Sequence, residues 1–261
     1  MKNASNIVVE SSIDGISRIR LNEPSTYNAL SSKTLESLIN IFKSLNNKNE
    51  TKVIIIEGSG KGFSGGHDLK EIRSLKKKSK YKKLFNLCSK LMLEIVEGRK
   101  PVIAKVHGAA FAAGCQLVAS CDLAISSDDA IFATPGVNIG LFCSTPMVAV
   151  SRKVSRKKTM KMLLTGDPIN AKYAKEIGLI NDHYPISELE DEVLKLAKKI
   201  ASKSSLTIKI GKKAFYKQLE IPLRKAYQYT SEVMTKNAME PDAEEGISAF
   251  LEKRKPNWKN K

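Results

Sequence analysis

Three short runs constrain the architecture of this chain most. Residues 52–57 (KVIIIE), 102–106 (VIAKV) and 123–125 are apolar almost without interruption, where a strand with one wet face would alternate. Strands of that kind are buried on both faces. Helical patterns separate them: residues 83–96, with Leu84, Leu87, Leu91 and Ile95 at helical spacing, and the stretch after Ala112. Strand, helix, strand, helix requires crossovers, so an α/β fold on a mostly parallel sheet is expected. Ahead of these, Ile7–Glu10 and Ile16–Leu21 flank Asp14-Gly15, a hairpin signal. Ser31-Ser32 opens an amphipathic helix carried by Leu35, Leu38, Ile39, Phe42 and Leu45. After Pro146 the chain turns helical, with segments 152–164, 171–177, 189–201, 206–218, 223–237 and 243–253 each reading as a helix. A length of 261 residues accommodates one large domain with an appendage.

Charge narrows the partners. Forty-four Lys and Arg against 27 Asp and Glu leave a net +17, a field that favours nucleic acid, an anionic membrane or a phosphorylated small molecule. Two stretches concentrate it, KKKSKYKK (76–83) and RKVSRKK (152–158). Tyr81 is the one aromatic among them, so solvated helix faces are the stronger reading and RNA the weaker. No apolar run approaches the roughly 18 residues of a membrane-spanning helix, so no membrane insertion is expected. Met1 to Glu10 carries neither an apolar signal core nor an Arg-rich leader, from which a cytoplasmic address is expected. Cys88, Cys115, Cys121 and Cys143 form no CxxC pair and read as reduced thiols. His67, His107 and His183 are spaced with no second ligand, so no metal site is expected.

Two glycine-rich segments each follow a buried strand. In residues 58–68 (GSGKGFSGGHD) the glycines let backbone N–H groups face a cavity, although the spacing matches neither a P-loop nor a dinucleotide fingerprint. In residues 107–116 (HGAAFAAGCQ) small residues open a helix whose free N–H groups suit a developing oxyanion. Taken alone, the first segment reads equally well as a site or a plain connection, and the second equally well as a site or as close helix–sheet packing.

Together with Asn28-Ala29-Leu30, FATPGVNIG (132–140), LLTGDPINAKYAKEIGLI (163–180) and the closing FLEKRKPNW (250–258), these segments resemble the crotonase superfamily, also called the enoyl-CoA hydratase/isomerase family. The ordered resemblance spans nearly the whole chain and is closest to the enoyl-CoA hydratase domain-containing protein 3 group. It implies a ββα spiral core over residues 1–200, and a helical region, 201–261, that builds homotrimers or hexamers and covers CoA. It also implies an acyl-CoA thioester as ligand, in fatty acid metabolism, with no cofactor beyond the CoA of the substrate itself. By position, the backbone N–H groups of His67 and Ala113 would form the oxyanion hole. Asp68, Leu69 and Lys70 would run along the CoA nucleotide, Ala29 would stand at the pantetheine entrance, and Lys253, placed in the last helix, would reach CoA. Tyr27 replaces a residue that is often basic in the family.

The chain departs from that pattern where the chemistry is done. Hydration takes two glutamates, one to deprotonate water and one to protonate carbon. Their positions hold Gln116 and Gly136, and neither an amide nor a hydrogen transfers protons at neutral pH. The standard mechanism is therefore excluded on residue type alone. Replacement groups nearby are His67 as a base and Cys143, Ser144 or Thr134 as polar groups, while His107 and Asp122 read as structural. A non-catalytic acyl-CoA binder, or a thioester hydrolase or other enolate chemistry using His67 or a water on Gln116, are the alternatives. The double change Gln116→Glu with Gly136→Glu is expected to raise hydration above either single change if the pocket scaffold is intact, a positive φ at Gly136 being the obstacle.

Overall fold

The computed structural model describes residues 6–260; Met1 to Ser5, part of the N-terminal stretch read above for a leader, and Lys261 lie outside them. The hairpin forms as β1 (Ile7–Ile13) and β2 (Ile16–Leu21), paired antiparallel. A turn leads to α1 (Ser32–Asn47), capped by Ser31, whose side chain accepts the Thr34 N–H. Three ββα units follow. The first is β3 (Val53–Gly58), β4 (Gly62–Ser64), α2 (Leu69–Ser74) and α3 (Lys78–Val96). The second is β5 (Val102–Val106), β6 (Ala109–Phe111) and α4 (Ala113–Ser120). The third is β7 (Leu123–Ser127), β8 (Ile131–Ala133), a 3-10 turn (Pro135–Ile139), α5 (Ser144–Val150) and α6 (Arg156–Thr165). Then come β9 (Ile169–Asn170), α7 (Ala171–Glu176), β10 (Asp182–Tyr184), α8 (Ile186–Ala201), α9 (Ser205–Gln218), α10 (Leu223–Ala238) and α11 (Pro241–Leu251).

The five long strands and the short β10 join a six-stranded sheet in the order β1-β2-β3-β5-β7-β10, and β4, β6, β8 and β9 a four-stranded sheet in the order β4-β6-β8-β9. Each unit thus gives one strand to each sheet, and the chain advances as a spiral. The sequence reading missed this second sheet, because three-residue strands carry too little periodicity to register.

Every residue of β3 is buried, as its unbroken apolar run requires. Ile54 and Ile56 enter the main core with α1, α3 and α4, while Val53 and Ile55 join Ile16, Ile103 and Ile125 under Leu189, Val193 and Ala197 of α8. At the C-terminal end of that second face a carboxylate is fully buried. Glu57 takes Lys105 Nζ at 2.9 Å and Arg20 at 2.7 Å, and Glu190 of α8 closes the network onto Arg18 and Lys105. Burial alone would raise the Glu57 pKa, but hydrogen bonds and charge from Lys105 and Arg20 outweigh it and hold the carboxyl below its usual range.

Two helix boundaries differ from expectation. The helix expected over 152–164 begins only at Arg156, because residues 152–154 form a turn and Ser155 (ψ 150°) is the N-cap of α6, while Val154 is buried under the turn. The last helix stops at Leu251, and Lys253 lies beyond it with φ +54°, not within it. Arg254 pulls the chain back there, donating to Glu245 at 2.7 Å while its N–H reaches Ala249 O at 2.9 Å.

The helical third is pinned by a buried ion pair. Lys212 of α9 donates to Asp122 Oδ2 at 2.6 Å and to the carbonyls of Ile95 and Lys100, both at 2.8 Å. Asp122 also accepts the Val102 N–H and the Tyr216 hydroxyl, so it is the satisfied structural carboxylate expected. Among the described residues no helix is long and apolar enough to cross a membrane.

Candidate active site

The two glycine-rich segments meet, and a third segment binds the first in place. Asn28 is buried at φ +53°, and its Nδ2 donates to the carbonyls of Ser59 and Gly62 at 2.9 Å while Oδ1 accepts the Glu23 N–H. The backbone joins in: Gly65 N–H donates to Tyr27 O and Leu30 N–H to Gly66 O, each at 2.8 Å. The sequence shows the Asn28-Ala29-Leu30 entry but not that Asn28 is the pin; its one signal there is the residue type, Asn being enriched at positive φ. Ala29 is buried beside it and Tyr27 is exposed.

Opposite, α4 starts from Ala112, held at φ +48° and ψ −113°, a conformation costly for any side chain. Its N–H donates to Ala133 O at 2.9 Å, so β8 fixes the strained residue. Gly66 lies directly against it. A Cβ on Gly66 would stand 2.9 Å from Phe111 O and 3.1 Å from Ala113 N, and φ is +92°, so glycine is required for this approach. The N–H groups of His67 and Ala113 follow from that contact. Neither has a protein acceptor among the described residues, and the Ala113 N–H lies at the positive end of α4.

The side chains around this pair are poor in proton-transfer capacity. His67 Nδ1 donates to Leu30 O at 3.1 Å, which fixes the tautomer because a carbonyl only accepts. Nε2 is buried without a partner, and the ring lies edge-on to Phe85 at 5.6 Å. Burial pushes the His67 pKa down, against the opposing Leu30 carbonyl, so the ring is neutral. Gln116 is buried on α4, its Oε1 accepting the Cys88 S–H at 3.7 Å. Thr134 Oγ1 is buried and unpartnered.

Gly136 is not among the positive-φ residues, so its backbone conformation does not bar a side chain. Space is the obstacle instead. A Cβ there would stand 2.2 Å from Leu141 O and 2.8 Å from Cys143 Sγ, because the turn from Pro135 folds back on itself and Gly136 N–H donates to that sulfur at 3.4 Å. A glutamate at 136 would have to displace that backbone. Burial raises the Cys143 thiol, only partly offset by the Gly136 N–H, and Ser144 Oγ donates to Phe142 O. Neither has an imidazole partner among the described residues.

The remaining residues fall around this centre. Asp68 spends its carboxylate capping α2, on the N–H groups of Lys70 and Glu71 at 2.8 and 3.3 Å, and leaves Leu69 and Lys70 exposed. His107 Nε2 donates to Gly60 O at 2.8 Å, a structural contact. Lys253 is exposed and has no ion pair among the described residues; α11 before it packs on α9 and α10. All four cysteines are free and buried. No group of three or more His, Cys, Asp or Glu that could hold a metal occurs among the described residues.

The profile of the family described as enoyl-CoA hydratase/isomerase matches residues 12–261. Human enoyl-CoA hydratase domain-containing protein 3, mitochondrial, is 49% identical over 246 residues, which cover 94% of this chain and 81% of that protein. Its crystal structure superposes with a TM-score of 0.95 at 47% identity, over 97% of this chain and all of that one. The crystal structure of an enoyl-CoA hydratase from Mycobacterium smegmatis gives 0.96 at 44% identity, over 98% and 99%. The cytoplasmic address expected from the N-terminal residues is overturned, since the human, mouse and rat relatives all carry "mitochondrial" in their names. The expectation rested on the absence of a leader pattern in the first ten residues, and such an absence fixes no compartment.

Proposed function

The chain belongs to the enoyl-CoA hydratase/isomerase family, and from that premise we propose that it binds an acyl-CoA thioester with the carbonyl oxygen between the N–H groups of His67 and Ala113. The observation that carries this is the Gly66–Ala113 contact, which sets two unclaimed backbone donors side by side at a helix N-terminus. Ala29 stands at the pantetheine entrance, Leu69 and Lys70 offer an exposed rim to the nucleotide, and Lys253 reaches CoA from the C-terminal region. Residues 1–200 supply the core and 201–261 the covering and assembly region.

Assembly follows from surface that a lone chain leaves wet. Leu223, Tyr227, Met234, Phe250 and Leu251 are each more than two-thirds exposed on the last helices, a density of large apolar groups that a homotrimer or hexamer would cover.

Within the family's chemistry, hydration is the reaction this site supports least. Gln116 cannot transfer a proton, and Gly136 has no room to carry the second carboxylate. Thioester hydrolysis needs a nucleophile beside a base, which Cys143 and Ser144 lack. Calorimetry against short- and long-chain acyl-CoAs tests the binding. Micromolar or tighter affinity is expected, and absence of heat and of any thermal shift with several acyl-CoAs refutes it.

A further inference from the structure

We propose that residues 73–83, the loop before α3 and its first turns, form a docking surface for a lipid bilayer with anionic headgroups, a contact that goes beyond the acyl-CoA reading and does not use that site. Seven of these eleven residues are Lys or Arg, and no Asp or Glu occurs between Glu71 and Glu94. All seven are exposed. Among the described residues the one ion pair they make is Lys83 with Glu36, at 3.8 Å between side chains each more than half exposed. Glu71, the acid just before the stretch, spends its carboxylate on the Ser32 N–H at 2.9 Å. The surface therefore carries its charge uncompensated.

Its placement works against the fold. Lys77 is the N-cap of α3 and supplies no side-chain hydrogen bond, and the first turn after it contains no acidic residue. Lys78 and Lys80 thus sit at the positive end of a 19-residue helix, the end where anions and not cations are stabilising. Neither capping nor packing accounts for lysines there, whereas an external anionic plane does. The other basic stretch, 152–158, is different because part of it is spent inside the fold. Arg152 pairs with Glu220 at 3.6 Å, and Lys153 and Lys158 lie over the rings of Tyr216 and Tyr173.

The side chains select lipid among the polyanions. Single-stranded nucleic acid is held by rings that stack on successive bases, and this stretch has only Tyr81, itself partly buried. A second copy of the same surface would set like charge against like charge. A small phosphate ester is too compact to meet seven side chains spread along a loop and a helix start. A bilayer offers a plane of headgroup phosphates, and under it an apolar layer that takes the methylene stems of lysines and a tyrosine ring at headgroup depth. Each Lys or Arg near such a plane is worth about fivefold in binding.

The test sediments the full chain with vesicles of equal parts phosphatidylglycerol and phosphatidylcholine, and with vesicles of phosphatidylcholine alone, in the absence of any thioester. Binding is expected to the mixed vesicles only, and is expected to be lost at high salt. The triple variant Lys78→Glu, Lys80→Glu, Lys82→Glu should bind at least about a hundredfold more weakly. Its Tm should not fall, since acids suit that helix end. The matched variant Arg156→Glu, Lys157→Glu, Lys161→Glu carries the same net charge and should lose no more than about fivefold. No binding to the mixed vesicles overturns the inference, and an equal loss in both variants overturns the location, leaving only a response to net charge. A lower Tm in the first variant overturns the claim that these lysines serve a partner and not the fold. Oligouridylate that strips the chain from vesicles at equal phosphate concentration overturns lipid in favour of nucleic acid, and a changed mass by light scattering in the first variant overturns it in favour of a second copy.

Discussion

Gly136→Ala tests whether the turn after Pro135 has room for any side chain at the position where the family resemblance implies a second carboxylate. The added methyl would stand 2.2 Å from Leu141 O, where ordinary contact begins near 3.4 Å, and 2.8 Å from Cys143 Sγ. The obstacle is backbone and cannot rotate away. Leu141 N–H donates to Gly136 O at 2.9 Å, so opening the turn to make room also loses that bond. Overpacking costs about 1–3 kcal/mol, and the bond about 0.5–1.5 kcal/mol if it breaks. Against these, replacing glycine removes freedom from the unfolded chain, worth about 0.4–1 kcal/mol because φ is not positive. A net loss of about 2 kcal/mol is expected, or about 4–8 °C in Tm for a chain of this size. Gly211→Ala is the matched control. It lies inside α9 with nothing within 4 Å of its Cβ, so it should stabilise by about 0.5–1 kcal/mol. Thermal unfolding of the two variants beside the parent reads the opposite signs directly. A Gly136→Ala protein as stable as the parent, or a well-folded Gln116→Glu, Gly136→Glu double variant that hydrates crotonyl-CoA briskly, refutes the reasoning.

Three further outcomes are expected. Lys212→Met leaves Asp122 and two carbonyls facing an apolar side chain and should cost about 3–5 kcal/mol in denaturant unfolding; a loss under about 1 kcal/mol means the pair is not the pin of α9. His67 has a folded pKa below its unfolded value of about 6.5, so its share of stability is complete above that pH and is lost on acidification as the unfolded chain alone takes up the proton; His67→Gln should flatten the pH 7 to 5 stability profile, and an unchanged slope contradicts this. Crotonyl-CoA hydration should run about 10²–10⁴-fold or more below that of a two-glutamate hydratase, and robust turnover in a coupled assay counts against the roles given to Gln116 and Gly136.

The alternation of buried strands and amphipathic helices, the capping by Ser31, the hairpin at Asp14-Gly15 and the family itself were legible in the sequence. These are matters of local pattern or of motif order. That Gln116 and Gly136 stand where the family's two glutamates would is what the resemblance implies, read from motif order. What neighbours decide was hidden. That Gly136 is barred by space and not by φ depends on Leu141 and Cys143 folding back over it, and the neutral, sealed state of His67 depends on Leu30 and Phe85 from two other elements. The Lys212–Asp122 pair joins residues 90 apart, and the network on Glu57 draws charges from four elements. A one-dimensional pattern reports which face of an element is apolar. Which polar groups meet across the core, and how much room they leave, is set only when sheets and helices pack to close contact.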